Sequence, residues 1–384
     1  MIPVNEPVIG VRDQEYVLEC LQSGWVSSAG KFIETFESTW AQYCGRQHGV
    51  TTSSGTSALQ TSLACLELNP GDEVIIPTFT IISCALAVIY NGGTPILVDA
   101  DPETWCMNVS QIEERITKRT RAIMAVHIYG HPVDMDPLLQ IAEQNDLAVI
   151  EDAAEAHGAE YLRGHNEQEQ EWVRCGSMGT MSVFSFYANK LVTSGEGGMI
   201  VTNDSHLASK ARNIRNLCFE PDQRFLHNNL GHNFRMTNMQ AALGLAQSER
   251  IQETVNWKRR MGQRYTERLS DIKAIQLPIE RSWSRQVYWM YGILLNKSHK
   301  MTARELADKL SDLGIQTRPF FLGMHAQPAL QNLGLFQNED YPVADHLSEN
   351  GLYLPSGLAL SEQQMDEVCA APVSYTHLRA HETL

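Results

Sequence analysis

One lysine and two acids carry the chemistry this sequence could perform. Lys190 lies in MSVFSFYANKLVTSGEGGMIVT, residues 181–202, where a strand-like run through Val183, Phe184 and Phe186 leads to the lysine, then a Gly-rich turn and a second strand. Burial disfavours the ammonium form and in the extreme lowers a lysine pKa to roughly 5–6. A lysine enclosed here would therefore present a free amine able to form a Schiff base with a carbonyl. The alternative is a lysine that snorkels to solvent from a loop. Ser185 offers a hydroxyl to a phosphate, and the glycines let backbone and ligand approach closely; both weigh toward the first reading.

Two further stretches belong to the same chemistry. In HGVTTSSGTSALQ a short strand runs into a helix that starts near Ser54, and its first turn offers Ser54, Gly55 and Thr56 at the positive end of the helix dipole. That is a phosphate site in physical terms; taken alone it reads equally as a Ser/Thr N-cap. Asp152 and Glu155, in VIEDAAEAHG, fall just past the end of another strand. A carboxylate there could pair with a protonated ring nitrogen and keep a heteroaromatic cofactor electron-withdrawing, or it could be a surface turn. Asp134 and Asp136 have the D-x-D spacing of a metal-bound nucleotide-sugar site, but Asp136 precedes Pro137 and an apolar periodic run, so N-cap duty explains it better. His127 and His131 are four apart, and Gly130 and Pro132 bar a helix presenting both to a metal.

These residues need a scaffold, and the chain supplies one of alternating strands and helices. Strands at 74–76, 95–98, 122–126 and 147–150 alternate with helices at 81–91, 109–118 and 136–145, which predicts an α/β fold with a mostly parallel sheet covered on both faces. Ligands sit beyond the carboxyl ends of such strands. Helices at 11–23 and through Phe32, Phe36 and Trp40 precede this region. Residues 163–174 read as an exposed loop or hairpin insertion, and one long helix is expected from Thr237 to about 268. Capping boxes at Thr302–Glu305 and Ser361–Gln364 belong to a smaller α+β domain. The expected partition is 1–250, 251–371, and a tail, 372–384, lying outside the native fold because it lacks apolar periodicity.

Composition narrows the function classes. Among 384 residues, 30 basic against 45 acidic side chains give −15, which argues against nucleic-acid backbones and anionic membranes as partners. Eight scattered cysteines without a CxxC pair read as free thiols in a reducing cytoplasm, and no secretion signal is evident.

SSGT, EDAAEAHG and SFYANKLVTSGEGG, in this order and spacing, resemble the sugar-nucleotide aminotransferases of the DegT/StrS type, to about residue 370. The resemblance implies the fold of the pyridoxal 5′-phosphate (PLP) enzymes of fold type I, with a large cofactor-binding domain and a smaller C-terminal one. By motif position, Lys190 would bond the cofactor's aldehyde, Asp152 would contact its ring nitrogen and Glu155 its ring hydroxyl. Ser54, Gly55, Thr56 and Ser185 would hold the phosphate, joined by Asn233 of the partner in a homodimer with shared active sites. Ile81 stands where relatives carry an aromatic over the ring, and Thr180 where they often carry Asp; Arg318 and His325 are candidates for the nucleotide-sugar side. GWVSSAGKF, PTFT, HIYGHPVDMD, GHNFRMTNMQAALGLAQ and TRPFF resemble the members of that family that act on a GDP-linked sugar, and this resemblance implies amination at C4 of GDP-4-keto-6-deoxymannose by L-glutamate. The competing expectations are amination at C3 or on a dTDP or UDP sugar, a non-catalytic PLP-binding regulator, and a metal-dependent glycosyltransferase.

Overall fold

The computed structural model describes every residue except 167, 221, 224, 298–300 and 378–384, with side chains up to residue 371. Nine strands precede the long central helices: β1 (His48–Thr52), β2 (Glu73–Pro77), β3 (Thr94–Val98), β4 (Thr120–Val126), β5 (Ala148–Asp152), β6 (Glu160–Arg163), β7 (Glu171–Arg174), β8 (Met181–Ser185) and β9 (Gly198–Thr202). Seven of them form one sheet in the order β1-β9-β8-β5-β4-β2-β3. The neighbours from β8 to β3 run parallel, and only β9 is antiparallel to its neighbours. β2, β9 and most of β4 are buried residue after residue, as a sheet covered on both faces requires.

The reversal of β9 shapes the site. β5 ends at Asp152 and β8 at Ser185, while Gly198, which opens β9, pairs with both Ser185 and Thr52. The carboxyl ends of β1, β5 and β8 and the start of β9 thus meet on one edge, where the dipole of helix Gly55–Cys65 also points.

β6 and β7 form the expected hairpin, joined by β11 (Ser284–Arg285) in a separate three-stranded sheet. Its contacts settle the D-x-D motif: Asp134 accepts the Tyr161 hydroxyl at 2.6 Å and Asp136 accepts the Gly164 N–H at 2.8 Å. Asp136 is inside the helix Met135–Gln144, and the N-cap position belongs to Asp134, so the expected capping role of Asp136 is replaced by a tie to the hairpin. His127 accepts the Val133 N–H on Nδ1, which leaves its proton on Nε2 for Glu151 at 3.0 Å. Burial would raise the Glu151 pKa, but His127, Ser182 and the N–H groups of Gly176, Met178 and Gly179 hold it down to about 2. Thr180 accepts the Val149 N–H at 3.0 Å, a structural use of that side chain.

The expected single helix from 237 is two, Asn238–Ser248 and Ile251–Leu269. They part at Arg250, whose guanidinium is drawn to Asp13 and the Val8 carbonyl. The second helix opens the small domain, in which β10 (Ile275–Gln276), β12 (Tyr291–Leu295), β13 (Arg318–Pro319) and β14 (Gly351–Leu354) pair antiparallel in the order β10-β12-β14-β13. The first residues return to this region: Ile2 bridges Ile315 and packs in one core cluster with Met261, Tyr265 and Leu306. The last helix spans Glu362–His377, and 378–384 lie outside the described residues. All eight cysteines are free and buried. No helix among the described residues is long and apolar enough to cross a membrane.

Candidate active site

At the helix that follows β1, Ser54 is the N-cap and accepts the Ser57 N–H at 3.1 Å, while its own N–H donates to Ser57 Oγ at 2.9 Å. The cap reading and the phosphate reading of this motif therefore hold together: the N–H groups of Gly55 and Thr56, in the first turn, have no partner within the helix. Thr56 Oγ1 lies 2.8 Å from Ser83 Oγ. Across the cradle, Ser185 comes so near Gly55 that a Cβ built there would lie 2.7 Å from the Ser185 Cβ. A residue without a side chain is what lets strand end and helix start converge.

Beside the cradle stand the acids. Asp152 is buried at the end of β5, with Oδ1 accepting the Ala154 N–H at 3.1 Å and Oδ2 facing the Cys84 thiol at 3.6 Å. Burial raises its pKa, countered by Ala154 and Lys190. Glu155 accepts the Tyr129 N–H at 2.8 Å and reaches Lys190 Nζ at 3.6 Å. Burial pushes Glu155 up to about 7, with the Lys190 charge opposing. The same burial pushes Lys190 down, with Glu155 and then Asp152 opposing. Each member of the pair thus moves toward its uncharged form. His157, in the same turn, is driven by burial to about 3 and stays uncharged, its Nδ1 accepting the Val192 N–H.

The sequence expectation for Lys190 therefore holds in its enclosed form: its side chain is 10% exposed, and its Nζ lies 3.5 Å from the centre of the Trp289 ring. Trp289, Cys84, Ser83 and the Tyr129 N–H are site groups that sequence reasoning did not single out. Cys84 and Trp289 sit inside apolar runs where nothing separates them from core residues.

The remaining expected residues scatter. Ile81 is 43% exposed in the bend after β2, on the side of the cradle marked by Thr56 and Ser83, whereas its neighbour Phe79 turns into the core against Tyr129 and Phe320. Asn233 is exposed in a loop bridged to Asn216. Arg318 is exposed and bonds only its own neighbour's carbonyl, Thr317 O, at 2.9 Å among the described contacts. His325 lies where the small domain meets the loop after β2. It is buried with Nδ1 2.8 Å from Thr78 Oγ1, which ties it to the loop after β2, and Nε2 2.9 Å from Asp345 in the helix Pro342–Asn350.

The donor set fits a phosphorylated pyridine aldehyde. A buried carboxylate with one thiol on its outer oxygen can take a ring N–H; a helix start with free N–H groups and hydroxyls can take a phosphate; a buried primary amine can take an aldehyde.

A model of the DegT/DnrJ/EryC1/StrS aminotransferase family matches residues 7–372. The chain is 42% identical over 371 residues to GDP-perosamine synthase of Caulobacter vibrioides, covering 96% of this chain and 97% of that one. It is 39% identical to GDP-perosamine synthase of Escherichia coli O157:H7, covering 96% of each. Among solved structures, DesV of S. venezuelae, in complex with a ketimine intermediate, superposes with a TM-score of 0.86 at 33% identity over 95% of this chain and 94% of that one. The aminotransferase TlmJ from Streptoalloteichus hindustanus gives 0.88 at 26% identity over 98% and 100%.

Proposed function

The chain belongs to the DegT/DnrJ/EryC1/StrS aminotransferase family, and from that membership we propose that it transfers an amino group from L-glutamate to C4 of GDP-4-keto-6-deoxymannose, giving GDP-perosamine for a surface polysaccharide. It is a PLP-dependent sugar aminotransferase; the sugar, the nucleotide and the donor are our reading. The observation that carries the reading is the buried Lys190 amine, 3.6 Å from Glu155 and enclosed beside Asp152.

Bound PLP supplies an electron-withdrawing ring into which charge at the reacting carbon can spread. Lys190 Nζ would hold the cofactor by its aldehyde carbon and, once displaced by an amino donor, carry the proton from the substrate carbon. Glu155, poised near neutrality, can accept or return a proton at Lys190 Nζ. Asp152, fixed by Ala154 and Cys84, would keep the ring nitrogen protonated, and the cradle of Gly55, Thr56 and Ser185 would anchor the phosphate. The exposed Asn233 loop supports a homodimer in which each chain completes its partner's phosphate site, and eight buried free thiols support a cytoplasmic setting.

Side-by-side assays of GDP-, dTDP- and UDP-linked 4-keto sugars with glutamate test the proposal. Turnover of the GDP sugar at least tenfold above the others is expected. Absence of GDP-sugar turnover would refute the substrate assignment while leaving the family chemistry intact.

A further inference from the structure

Behind the catalytic lysine lies a second buried one that the reaction does not use. Lys258, on the helix Ile251–Leu269, is 1% exposed, and its hydrogen-bond partners among the described residues are all neutral: the Trp289 carbonyl at 3.0 Å, the Ser356 carbonyl at 2.6 Å and Met261 Sδ at 3.8 Å. Trp289 is thus fixed by its backbone, and its side chain makes two contacts at Lys190. The indole face lies 3.5 Å from Nζ, and the indole N–H donates at 2.8 Å to the carbonyl of Asn189, the residue before the lysine. Asn5 donates to the same carbonyl at 3.2 Å. A void of about 10 Å³ lies between the two lysines, room for one water at most.

Resting on the amino-transfer reading above, we propose that Trp289 is a positioning residue for Lys190: its ring face is where the Lys190 amine rests when not bonded to the cofactor, and its N–H pins the backbone that carries the lysine. The chemistry requires a place of this kind. An amine that leaves the aldehyde carbon and returns as a proton carrier must not wander among rotamers, and Lys190 has four carbons of freedom. An aromatic face attracts the ammonium without forming a covalent bond, and it leaves the amine free to depart. Lys258 supports this at one remove, by fixing the carbonyl of Trp289 to the small domain. The groups facing Lys190 that titrate or carry charge are Glu155, Asp152 and His157 from the turn after β5 and Lys258 from the long helix.

The test uses holoenzyme carrying Trp289→Leu or Trp289→Phe. Two quantities are read besides turnover: the pH midpoint of the Lys190 ammonium in the pyridoxamine form, in which that amine is unbonded, followed by nitrogen-15 NMR, and the single-turnover rate with L-glutamate alone. Leu removes both contacts, so the midpoint should fall by about half to one pH unit and the half-reaction should slow about tenfold with little change in KM. Phe keeps a ring face and loses the N–H, so its midpoint should stay within about 0.3 unit while the half-reaction slows about threefold. A Leu variant that melts as the parent does but leaves the midpoint unmoved overturns the proposal, whatever its rate. If Leu does not fold, Phe decides: slowing of twofold or more at unchanged KM supports the proposal, and less overturns it. Failure of the amino-transfer reading would look different, since the parent itself would then show no visible band and no borohydride-fixed adduct at Lys190.

Discussion

An amine enclosed between an acid and an aromatic face is governed by both, and the sharpest predictions concern such single groups. Lys190→Ala should lose turnover by at least about 10³-fold, because both the bond to the cofactor and the proton carrier go together. Asp152→Asn should retain cofactor and lose about 10²- to 10⁴-fold in turnover, measured at saturating sugar. Lys258 gives a stability prediction. Burial lowers its pKa well below the ordinary lysine value, so between that lowered value and about 10.4 the unfolded chain binds more protons, and stability rises with pH. Lys258→Met lacks this rise. In urea denaturation the parent should therefore gain on the variant by up to about 1.4 kcal/mol per pH unit as the pH rises toward about 10.4. A gap independent of pH would mean that Lys258 is charged in the fold. Lys190, Asp152 and Glu155 were legible in sequence because acids and amines beside strand ends are chemically conspicuous. Trp289, Cys84 and Lys258 were not, since an indole or thiol in an apolar run looks like core and a lysine on a polar helix looks like surface.

Elements carry these groups, and Gly55→Ala tests how closely two of them meet. The added methyl would crowd Ser185, forcing the helix start away from β8. Cofactor affinity should drop about tenfold or more, with about 1–3 kcal/mol of stability lost, read by equilibrium dialysis and thermal melting. Helix starts were readable because Ser54 and Thr237 cap the helices that their positions predict, and Thr302 forms the capping box that its spacing from Glu305 predicts. The break at Arg250 was not readable. No glycine or proline marks it, and the partner that draws Arg250 away, Asp13, is distant in sequence. The same holds for the partners of His325, since only the fold brings Thr78 and Asp345 to its two nitrogens.

At the scale of the whole molecule, the parallel sheet was legible from its apolar runs, whereas the reversal of β9 and the return of Ile2 to the small domain depend on distant pairings. One chain leaves Trp25 59%, Leu21 57% and Leu230 98% exposed, apolar surface of the kind a second copy would cover. Subunit exchange tests whether the sites are shared. Mixing Lys190→Ala with Asn233→Ala protein should restore about a quarter of parental activity, since half the dimers would be hybrids with one intact site each. Recovery no greater than the sum of the two variants would place Asn233 outside its partner's site.

The buried thiols turn that experiment into one that can be watched. Every cysteine is enclosed, and burial raises the pKa of Cys44, Cys84 and Cys175 among them, so maleimide dyes should ignore the folded parent. A cysteine introduced at Leu230 would then stand as the reactive handle on each chain, and donor and acceptor fluorophores attached there would report the exchange of subunits in real time.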